Sequence, residues 1–514
     1  MRKEMSANAQ MAVNMFASAL TYVISMLISF FLSPYIVQNI GVDANGFIGL
    51  ANNFISYASL ITIALNALAS RFITINIYQD NYKNANKYFS SVFFSNVFLS
   101  FVLAAIGCVI IVYLEHFINV PQRLLTDVRL LFILLFISCI INTSGSVFSV
   151  ATFARNKLYL SSLLSITTNI VGAGSMLVLF TLLEPKLYYV AVTSVIQSIF
   201  SVLGSVFYTK KLLPQIKLSC RDFDFKMVKE LLAGGVWSLV NRLGQILLDG
   251  LDLLITNLFI NSTMMGVLSL SKTIPSTING IVSTLVNIFS PNFTILYAQG
   301  KKDELLKSVK QSMKIMGVIT NLPVIVLLLC GKDFYALWQP TVDTNSLYIL
   351  SVMGCGCIIF SGGINCIYNI FTVVNKLRAN SIVVIVSGLL SALVVYILVN
   401  TTSLGVYAVA GVSTAFSILR NLLFTAPYGA KCLGIKWYSF YPDIIRPVIY
   451  VAVTYAIGYF TINNFAAQGW IALVVKAAVT AVMAVFIGYF AILGKDERAI
   501  VKNIVKTKIL KKRS

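Results

Sequence analysis

Five polar side chains lie close together in a long apolar segment at residues 241–254. This stretch reads NRLGQILLDGLDLL and holds Asn241, Arg242, Gln245, Asp249 and Asp252. Arginine binds anions through a planar fork of N–H donors, whereas aspartate accepts hydrogen bonds or binds a small cation. A charged residue in mid-bilayer costs at least about 2.5 kcal/mol on insertion scales, so these residues need partners or water.

An uninterrupted α-helix would place these side chains on one face, because each residue turns the helix by about 100°. Ser238 and Thr256 fall on the same arc of roughly 100°. The stripe either joins helices, with Arg242 pairing to an aspartate elsewhere, or lines a water-filled cavity. Ionisable groups inside membranes usually serve function, which favours the cavity. The candidates for substrate binding are Asn241, Arg242 and Gln245, and those for a coupling ion or sugar contact are Asp249 and Asp252.

Polar stripes also mark the first two apolar segments, and Lys272 lies in the segment that follows the stretch. The further candidates for substrate binding in the cavity are Ser25, Asn52, Arg71 and Lys272. Lys272 precedes Pro275 by three residues, which predicts a cation beside a helix kink. A lysine that snorkels to the membrane surface is the alternative for Lys272, and we expect Lys476 to snorkel in this way.

The composition indicates an integral membrane protein composed entirely of α-helices. Of the 514 residues, 58% are apolar and only 11% are charged, which excludes most soluble folds. Apolar runs of the length that crosses a bilayer recur along the whole chain, and we count about fourteen. They lie near 10–33, 44–70, 88–114, 128–150, 158–182, 187–208, 230–260, 264–298, 311–330, 346–371, 379–400, 405–427, 445–463 and 470–493. The first run lacks a cleavage signal and is predicted to be a retained span.

The distribution of positive charge predicts the orientation. The chain has a net charge of +21 from 39 Lys and Arg residues. With fourteen alternating spans, most of them fall on cytoplasmic segments and four fall on outer loops, namely Arg123, Arg129, Lys186 and Lys332. This bias predicts that both termini are cytoplasmic. The basic segments at 209–230 and 495–514 are expected to contact anionic membrane lipids rather than nucleic acid.

The cysteine and histidine content gives no support for metal chemistry. The eight cysteines are scattered, and His116 is the only histidine. Scattered cysteines in apolar runs are typical of small buried side chains or free thiols. We expect no metal, no cofactor and a monomeric protein.

The chain repeats itself weakly at an offset of 220 residues. Between 46–87 and 266–307 the identities include Gly46 with Gly266 and Ser56 with Ser276, and the tripeptide NKL at 156–158 recurs at 375–377, at an offset of 219. An offset of six spans preserves direction across the membrane, so the halves are predicted to be parallel repeats. The predicted domains are an amino-terminal lobe at 1–208, a basic cytoplasmic linker at 209–229, a carboxy-terminal lobe at 230–428, and a final helix pair with a basic tail at 429–514.

This plan resembles a known transporter superfamily. The stretches FFLSPYIVQNIGVDANGFIGLANNF at 30–54 and LNALASRFIT at 65–74 are similar to those of lipid-linked oligosaccharide flippases. These belong to the multidrug/oligosaccharidyl-lipid/polysaccharide exporter superfamily, and the likeness is greatest to members that serve polysaccharide or teichoic acid assembly in Gram-positive bacteria. The resemblance extends over nearly the whole chain, although its motifs are diffuse.

The resemblance implies a fold like that of the multidrug and toxic compound extruders, a bacterial cell membrane location and a substrate. The substrate would be an undecaprenyl-pyrophosphate-linked glycan, turned from the inner to the outer leaflet by alternating access. Family members have cationic central cavities, which Arg242 and Lys272 would supply here, and Arg71 lies in the matching SRFIT stretch. The coupling ion would be Na⁺ or H⁺. The glycan would be a precursor of capsule, teichoic acid or another cell-wall polymer.

Two other functions are compatible with parts of the pattern. A multidrug exporter of the same superfamily would share the two-lobe plan, but such exporters usually stop at twelve spans. A membrane polysaccharide polymerase or glycosyltransferase would need catalytic groups in a sizeable outer loop. The predicted outer loops are short and hold no paired carboxylates, so we expect a protein that is not an enzyme.

Overall fold

The computed structural model describes residues 7–374, 376–462, 465, 467–492, 494 and 498. These residues form α-helices with short 3₁₀ and π segments, and no strand occurs among them. The first eleven helices are α1 (Ala7–Ile40), α2 (Val42–Tyr78), α3 (Tyr82–Val112), α4 (Leu114–Phe117), α5 (Leu125–Gly145), α6 (Val150–Ala154), α7 (Leu158–Leu182), α8 (Tyr189–Leu212), α9 (Phe225–Gln245), α10 (Asp252–Phe259) and α11 (Ser262–Ser271).

Nine further helices complete the described chain. They are α12 (Thr273–Val286), α13 (Ser290–Ala298), α14 (Lys302–Trp338), α15 (Thr344–Val373), α16 (Leu377–Thr401), α17 (Val406–Arg420), α18 (Ala426–Leu433), α19 (Tyr441–Thr461) and α20 (Trp470–Ala491). Two π-helical segments interrupt this series, Ile246–Gly250 after α9 and Asn421–Thr425 after α17. Short 3₁₀ turns lie at Gln122–Leu124, Ser146–Ser149 and Cys220–Asp222.

The predicted all-helical membrane architecture is confirmed. Twelve of the described helical stretches are long and apolar enough to cross a membrane, and α2 adds two segments that meet at an angle of 62°. The shorter helices α11 and α12 follow one another across Lys272 and occupy the eighth predicted interval. Helices therefore occupy all fourteen predicted intervals, while the number of complete crossings stays a prediction.

Contacts divide the chain into two compact units, residues 1–266 and 267–514. This boundary places α9 and α10 in the first unit, because α9 packs against α2 and α3. The predicted lobes at 1–208 and 230–428 were drawn from the repeat and divide the chain elsewhere, so they stay a prediction about its duplication. Three parts of the chain lie outside the described residues. They are residues 1–6, Asn375 of the second NKL motif, and most of the predicted basic tail.

Side-chain caps fix several helix starts in the loops. Asn81 accepts a hydrogen bond from the backbone N–H of Asn84 at the start of α3, and Asp343 accepts one from Ser346 at the start of α15. Such caps satisfy N–H groups that have no partner inside the helix. Hydrogen bonds from the Ser346 side chain and backbone hold the pKa of the Asp343 carboxyl below its ordinary value.

Apolar side chains lie both inside the units and on their outer surface. In the first unit Leu65, Ile73 and Leu231 are almost completely buried in a cluster that also includes residues of α3. In the second unit Ile325, Tyr450 and Ala484 form the corresponding core between α14, α19 and α20. Many other large apolar side chains on the spans are exposed, as suits a surface solvated by lipid tails.

The prediction that Lys476 snorkels is wrong. Lys476 on α20 is buried, and its Nζ lies 2.7 Å from Oδ2 of Asp333 on α14. The sequence analysis placed the adjacent Lys332 in an outer loop, but α14 continues as far as Trp338 and brings the carboxylate of Asp333 beside α20. A lysine that reaches a carboxylate inside the bundle no longer needs to extend its ammonium group to the membrane surface.

The two glycines that the repeat offset equates meet in the first unit. A Cβ atom on Gly46 of α2 would lie 2.8 Å from the backbone nitrogen of Gly266 on α11. The two backbones can approach this closely only because neither residue has a side chain.

Candidate functional site

The helix that carries the polar stripe is positioned by two adjacent glycines. A Cβ atom on Gly235 of α9 would lie 1.8 Å from the backbone oxygen of Ala64 on α2, so the two backbones are in direct contact there. A Cβ atom on Gly234 would instead meet the end of the Leu68 side chain. Small residues at a helix crossing allow close approach, and this crossing determines which face of α9 is covered.

The polar face of α9 is open. Ser238, Arg242 and Gln245 are exposed, and Asn241 is partly exposed. Gln245 donates from Nε2 to Oδ1 of Asn241 at 3.0 Å, whereas Nη1 of Arg242 lies 3.5 Å from Oε1 of Gln245, at the limit of a hydrogen bond. Among the described residues, no carboxylate forms an ion pair with Arg242. The prediction that Arg242 lines a water-filled cavity stays a prediction.

The stripe does not continue as one face, because the helix changes form after Gln245. Residues Ile246–Gly250 are π-helical, and α10 begins only at Asp252. A π turn holds more residues than an α turn, so the assumed rotation of about 100° per residue fails beyond this point. Asp249 is exposed, but Asp252 is only 5% exposed and Thr256 is completely buried. The prediction of a single shared face is therefore wrong at Asp252 and Thr256.

Two side chains of α2 bind the carbonyl group of Gly250. Asn53 donates to it from Nδ2 at 3.0 Å, and the hydroxyl of Tyr57 donates to the same oxygen. A π segment leaves a carbonyl without its usual helical partner, and these two groups replace that partner. The glycine inside an apolar helix was the sequence signal for this interruption.

The polar stripe of the first span forms a seam inside the first unit. Ser18 and Ser162 are joined through their hydroxyls at 3.2 Å, and Thr21 donates to the backbone oxygen of Ser162 at 3.1 Å. Asn169 of α7 donates to Oγ of Ser25 at 2.6 Å. Ser25 therefore takes part in packing α1 against α7, and we do not carry it into the proposed substrate site.

The predicted stripe of α2 is divided in a similar way. Asn66 and Asn96 exchange hydrogen bonds at 3.2 and 3.0 Å, so this part of the stripe joins α2 to α3. Asn52 and Arg71 are thus exposed on α2, and Arg242 is exposed on α9, which packs against α2.

Lys272 belongs to the second unit. It is partly exposed and lies where α11 ends and α12 begins, three residues before Pro275. The two helices meet at Lys272, while a kink at this point stays a prediction. The structure also draws attention to an arginine that the sequence prediction missed, Arg420, which lies inside the predicted span 405–427. Counting every basic residue within that span would have found it.

No group of three His, Cys, Asp or Glu side chains suited to a metal ion occurs in the part of the chain that is described. The eight cysteines are free thiols. Along the stripe from Ser238 to Gln245, the open groups are hydrogen-bond donors and acceptors and the guanidinium of Arg242.

The fold is that of transporters with two helical bundles. The chain is similar to an inward-facing multidrug resistance MATE family transporter of the MOP superfamily, with a TM-score of 0.63, 14% identity, and coverage of 80% of this chain and 94% of that one. It is similar to the lipid II flippase MurJ in an inward closed conformation, with a TM-score of 0.62, 13% identity, and coverage of 92% and 98%. At these identities the likeness shows the fold alone.

Residues 11–294 match the polysaccharide biosynthesis protein family, which is more than half of the chain. The chain belongs to this family, as the sequence resemblance predicted. A relative in Bacillus subtilis (strain 168), the uncharacterized membrane protein EpsK, is 26% identical over 498 residues, which cover 96% of this chain and 98% of the relative. The protein is a multi-pass protein of the bacterial cell membrane.

Proposed function

We propose that this chain is a flippase for an undecaprenyl-pyrophosphate-linked oligosaccharide. It moves this repeat unit, a precursor of cell-surface polysaccharide, capsule or teichoic acid, from the inner to the outer leaflet of the cell membrane. The mechanism is alternating access through a cationic central cavity. The observation that carries the proposal is the exposed guanidinium of Arg242 on a membrane helix, without a carboxylate partner among the described residues.

The chemistry of the substrate explains why such a cation is needed. A pyrophosphate and several sugars cannot cross hydrocarbon unaided, because charged and hydroxyl groups lose their hydration there. A guanidinium matches phosphate oxygens through two parallel N–H donors. The isoprenoid tail can stay in the lipid throughout. Arg242, Lys272 and Arg71 are the cations that we assign to the phosphate groups.

The neutral and acidic groups of the α2–α9 pair suit the sugar part of the substrate. Asn241, Gln245 and Asn52 offer amide donors and acceptors for hydroxyl groups. Asp249 is exposed and is assigned to a coupling Na⁺ or H⁺ or to a sugar hydroxyl. Asp252 keeps the same assignment, but its burial means that a ligand reaches it only after the surrounding helices move. The proposed partners are anionic membrane lipids, and the proposed state is a monomer.

A reconstituted flipping experiment tests the proposal. Purified protein in liposomes receives a fluorescent undecaprenyl-pyrophosphate-linked oligosaccharide, and a membrane-impermeant quencher or lectin reports the fraction in the outer leaflet. We expect protein-dependent movement of this lipid and much slower movement of a phospholipid carrying the same fluorophore. Transport of a cationic drug without movement of the lipid-linked sugar would replace the proposal with the multidrug exporter alternative.

A further inference from the structure

Arg420 is an arginine in the middle of a membrane span of the second unit. The span comprises Val406–Leu433, and Arg420 is the last residue of α17 within it. About half of the span lies on either side, so the guanidinium is far from both ends of the helix. A cation at this depth is costly unless another group neutralises or solvates it.

Among the residues that the structure describes, the groups that hold the side chain are neutral. Nη2 of Arg420 donates to the hydroxyl of Tyr368 on α15 at 3.1 Å, and that hydroxyl donates to Oδ1 of Asn421 at 2.7 Å. Asn421 and Thr425 are buried, and the hydroxyl of Thr425 lies 3.3 Å from the same Oδ1. This network fixes the position of the guanidinium but leaves its charge uncompensated.

Part of the guanidinium has no partner. The buried Nε of Arg420 makes no hydrogen bond with any described residue, and no described carboxylate forms an ion pair with this side chain. The side chain as a whole is partly exposed, so it is not enclosed on all sides. A buried charged donor left unsatisfied in a membrane protein requires an explanation, and an anion is the simplest one.

The backbone around Arg420 repeats a feature of the first unit. A π-helical segment, Asn421–Thr425, begins immediately after Arg420, and the other described π segment begins four residues after Arg242. Such segments occur frequently at functional sites, because the extra residue reorients side chains. Each unit thus has an intramembrane arginine within four residues of the start of a π segment.

The arginine is not required by the packing of related helices. The NKL match, at an offset of 219, equates Arg420 with the neutral Ser201. In the first unit the seam between α5 and α8 is joined by neutral groups, with Ser138 and Ser198 at 2.6 Å and Asn142 donating to Ser198 at 2.6 Å. A charge at this position of the second unit is therefore an addition that packing alone does not explain.

We propose that Arg420, positioned by Tyr368 and Asn421, binds a lipid-borne phosphate group. The site would take a phosphate of the pyrophosphate-linked substrate, and in that respect the inference rests on the proposed function. The phosphate of a membrane phospholipid offers the same chemistry, and the experiment separates the two sources.

The test measures ligand binding to purified protein in nanodiscs of phosphatidylcholine. The probes are undecaprenyl pyrophosphate and phosphatidylglycerol, and the readouts are affinity and the rise in Tm that each probe causes. We expect Arg420→Gln to weaken the binding of undecaprenyl pyrophosphate by about tenfold or more, which is the effect of losing one charge-assisted contact. Arg420→Lys should lose less affinity, because it keeps the charge but not the planar pair of N–H donors. Tyr368→Phe should lose the least affinity.

A matched control is Arg446→Gln in the same unit. Arg446 is half exposed and lies 3.5 Å from Asp443, so its replacement should leave both affinities unchanged. A loss in Arg420→Gln that affects both probes supports the site and assigns it to phosphate in general; a loss for the pyrophosphate alone assigns it to the substrate.

A structural role for Arg420 gives a different result. In that case Arg420→Gln lowers the Tm of the ligand-free protein, yet undecaprenyl pyrophosphate still binds and raises the Tm as in the wild type, which overturns the inference. If the wild type neither binds nor flips the pyrophosphate lipid, the proposed function fails, and the Arg420 site then depends on the phosphatidylglycerol result alone.

Discussion

The helices α1 and α9 carry polar residues at equivalent positions but use them differently. The repeat offset equates Thr21 with Asn241 and Ser25 with Gln245. On α1 these hydroxyls bond to α7 or to their own helix backbone, whereas on α9 the amides lie on an open face beside Arg242. A short hydroxyl can satisfy itself on the preceding turn, but a guanidinium cannot. The type of polar group, more than its spacing, separates packing seams from open faces.

The largest expected effect concerns Lys476, a buried charge that has a partner. Lys476 is paired with Asp333, so we expect Lys476→Met to destabilise the protein by about 3 to 5 kcal/mol, because it leaves a carboxylate without its counter-ion. Thermal unfolding in detergent, followed by circular dichroism, measures the change. The neighbouring exposed Lys332→Met serves as the control.

The double variant Lys476→Met with Asp333→Leu distinguishes pairing from simple packing. Removing both charges should restore most of the lost stability, since apolar replacement of a buried pair is often nearly neutral. An equally large loss in the double variant would show that the pair does more than neutralise charge.

The crossing of α2 and α9 provides the second test, because it determines which face of α9 is open. Gly235→Ala would push a methyl group against the backbone of Ala64, and overpacking of this kind typically costs about 1 to 3 kcal/mol. Gly234→Ala meets only the flexible end of Leu68 and should cost much less. Tm values of the two variants, measured side by side, give the answer; equal values would mean that the crossing is not tightly packed.

Replacing Arg242 should reduce export more than it reduces the stability of the protein. We expect Arg242→Ala to reduce export of the lipid-linked glycan at least tenfold, about 1.4 kcal/mol, because the phosphate loses its cation. Immunoblots of membrane fractions check that the variant is inserted, and surface polysaccharide reports export. Normal surface polysaccharide in this strain would remove Arg242 from the mechanism.

The smallest expected effects come from the repeat-related pair Ser25 and Gln245. Ser25→Ala removes the acceptor for Asn169, which should cost about 0.6 kcal/mol and leave export unchanged. Gln245→Ala should show the reverse, with normal stability and export reduced a few-fold. Loss of export in Ser25→Ala at normal abundance would return Ser25 to the substrate site.

Hydrophobic runs were sufficient to predict the helices, because a bilayer requires long apolar segments and satisfied backbones. The family followed from the loop stretches. Contacts between distant residues could not be predicted in this way. The partner of Lys476 lies 143 residues away, and the π segment after Gln245 depends on Asn53 and Tyr57 of another helix. Arg420 was within reach of the sequence, since its span was predicted correctly.

The ion pair between α20 and α14 also constrains how the chain is built at the ribosome. Asp333 is synthesised well before Lys476, so the carboxylate is already present when the last helix emerges. A lysine in the interior of that helix opposes its integration until the carboxylate is reached. Helix α20 is therefore expected to become stable in the bilayer only after α14 has been inserted, which gives biosynthesis an order.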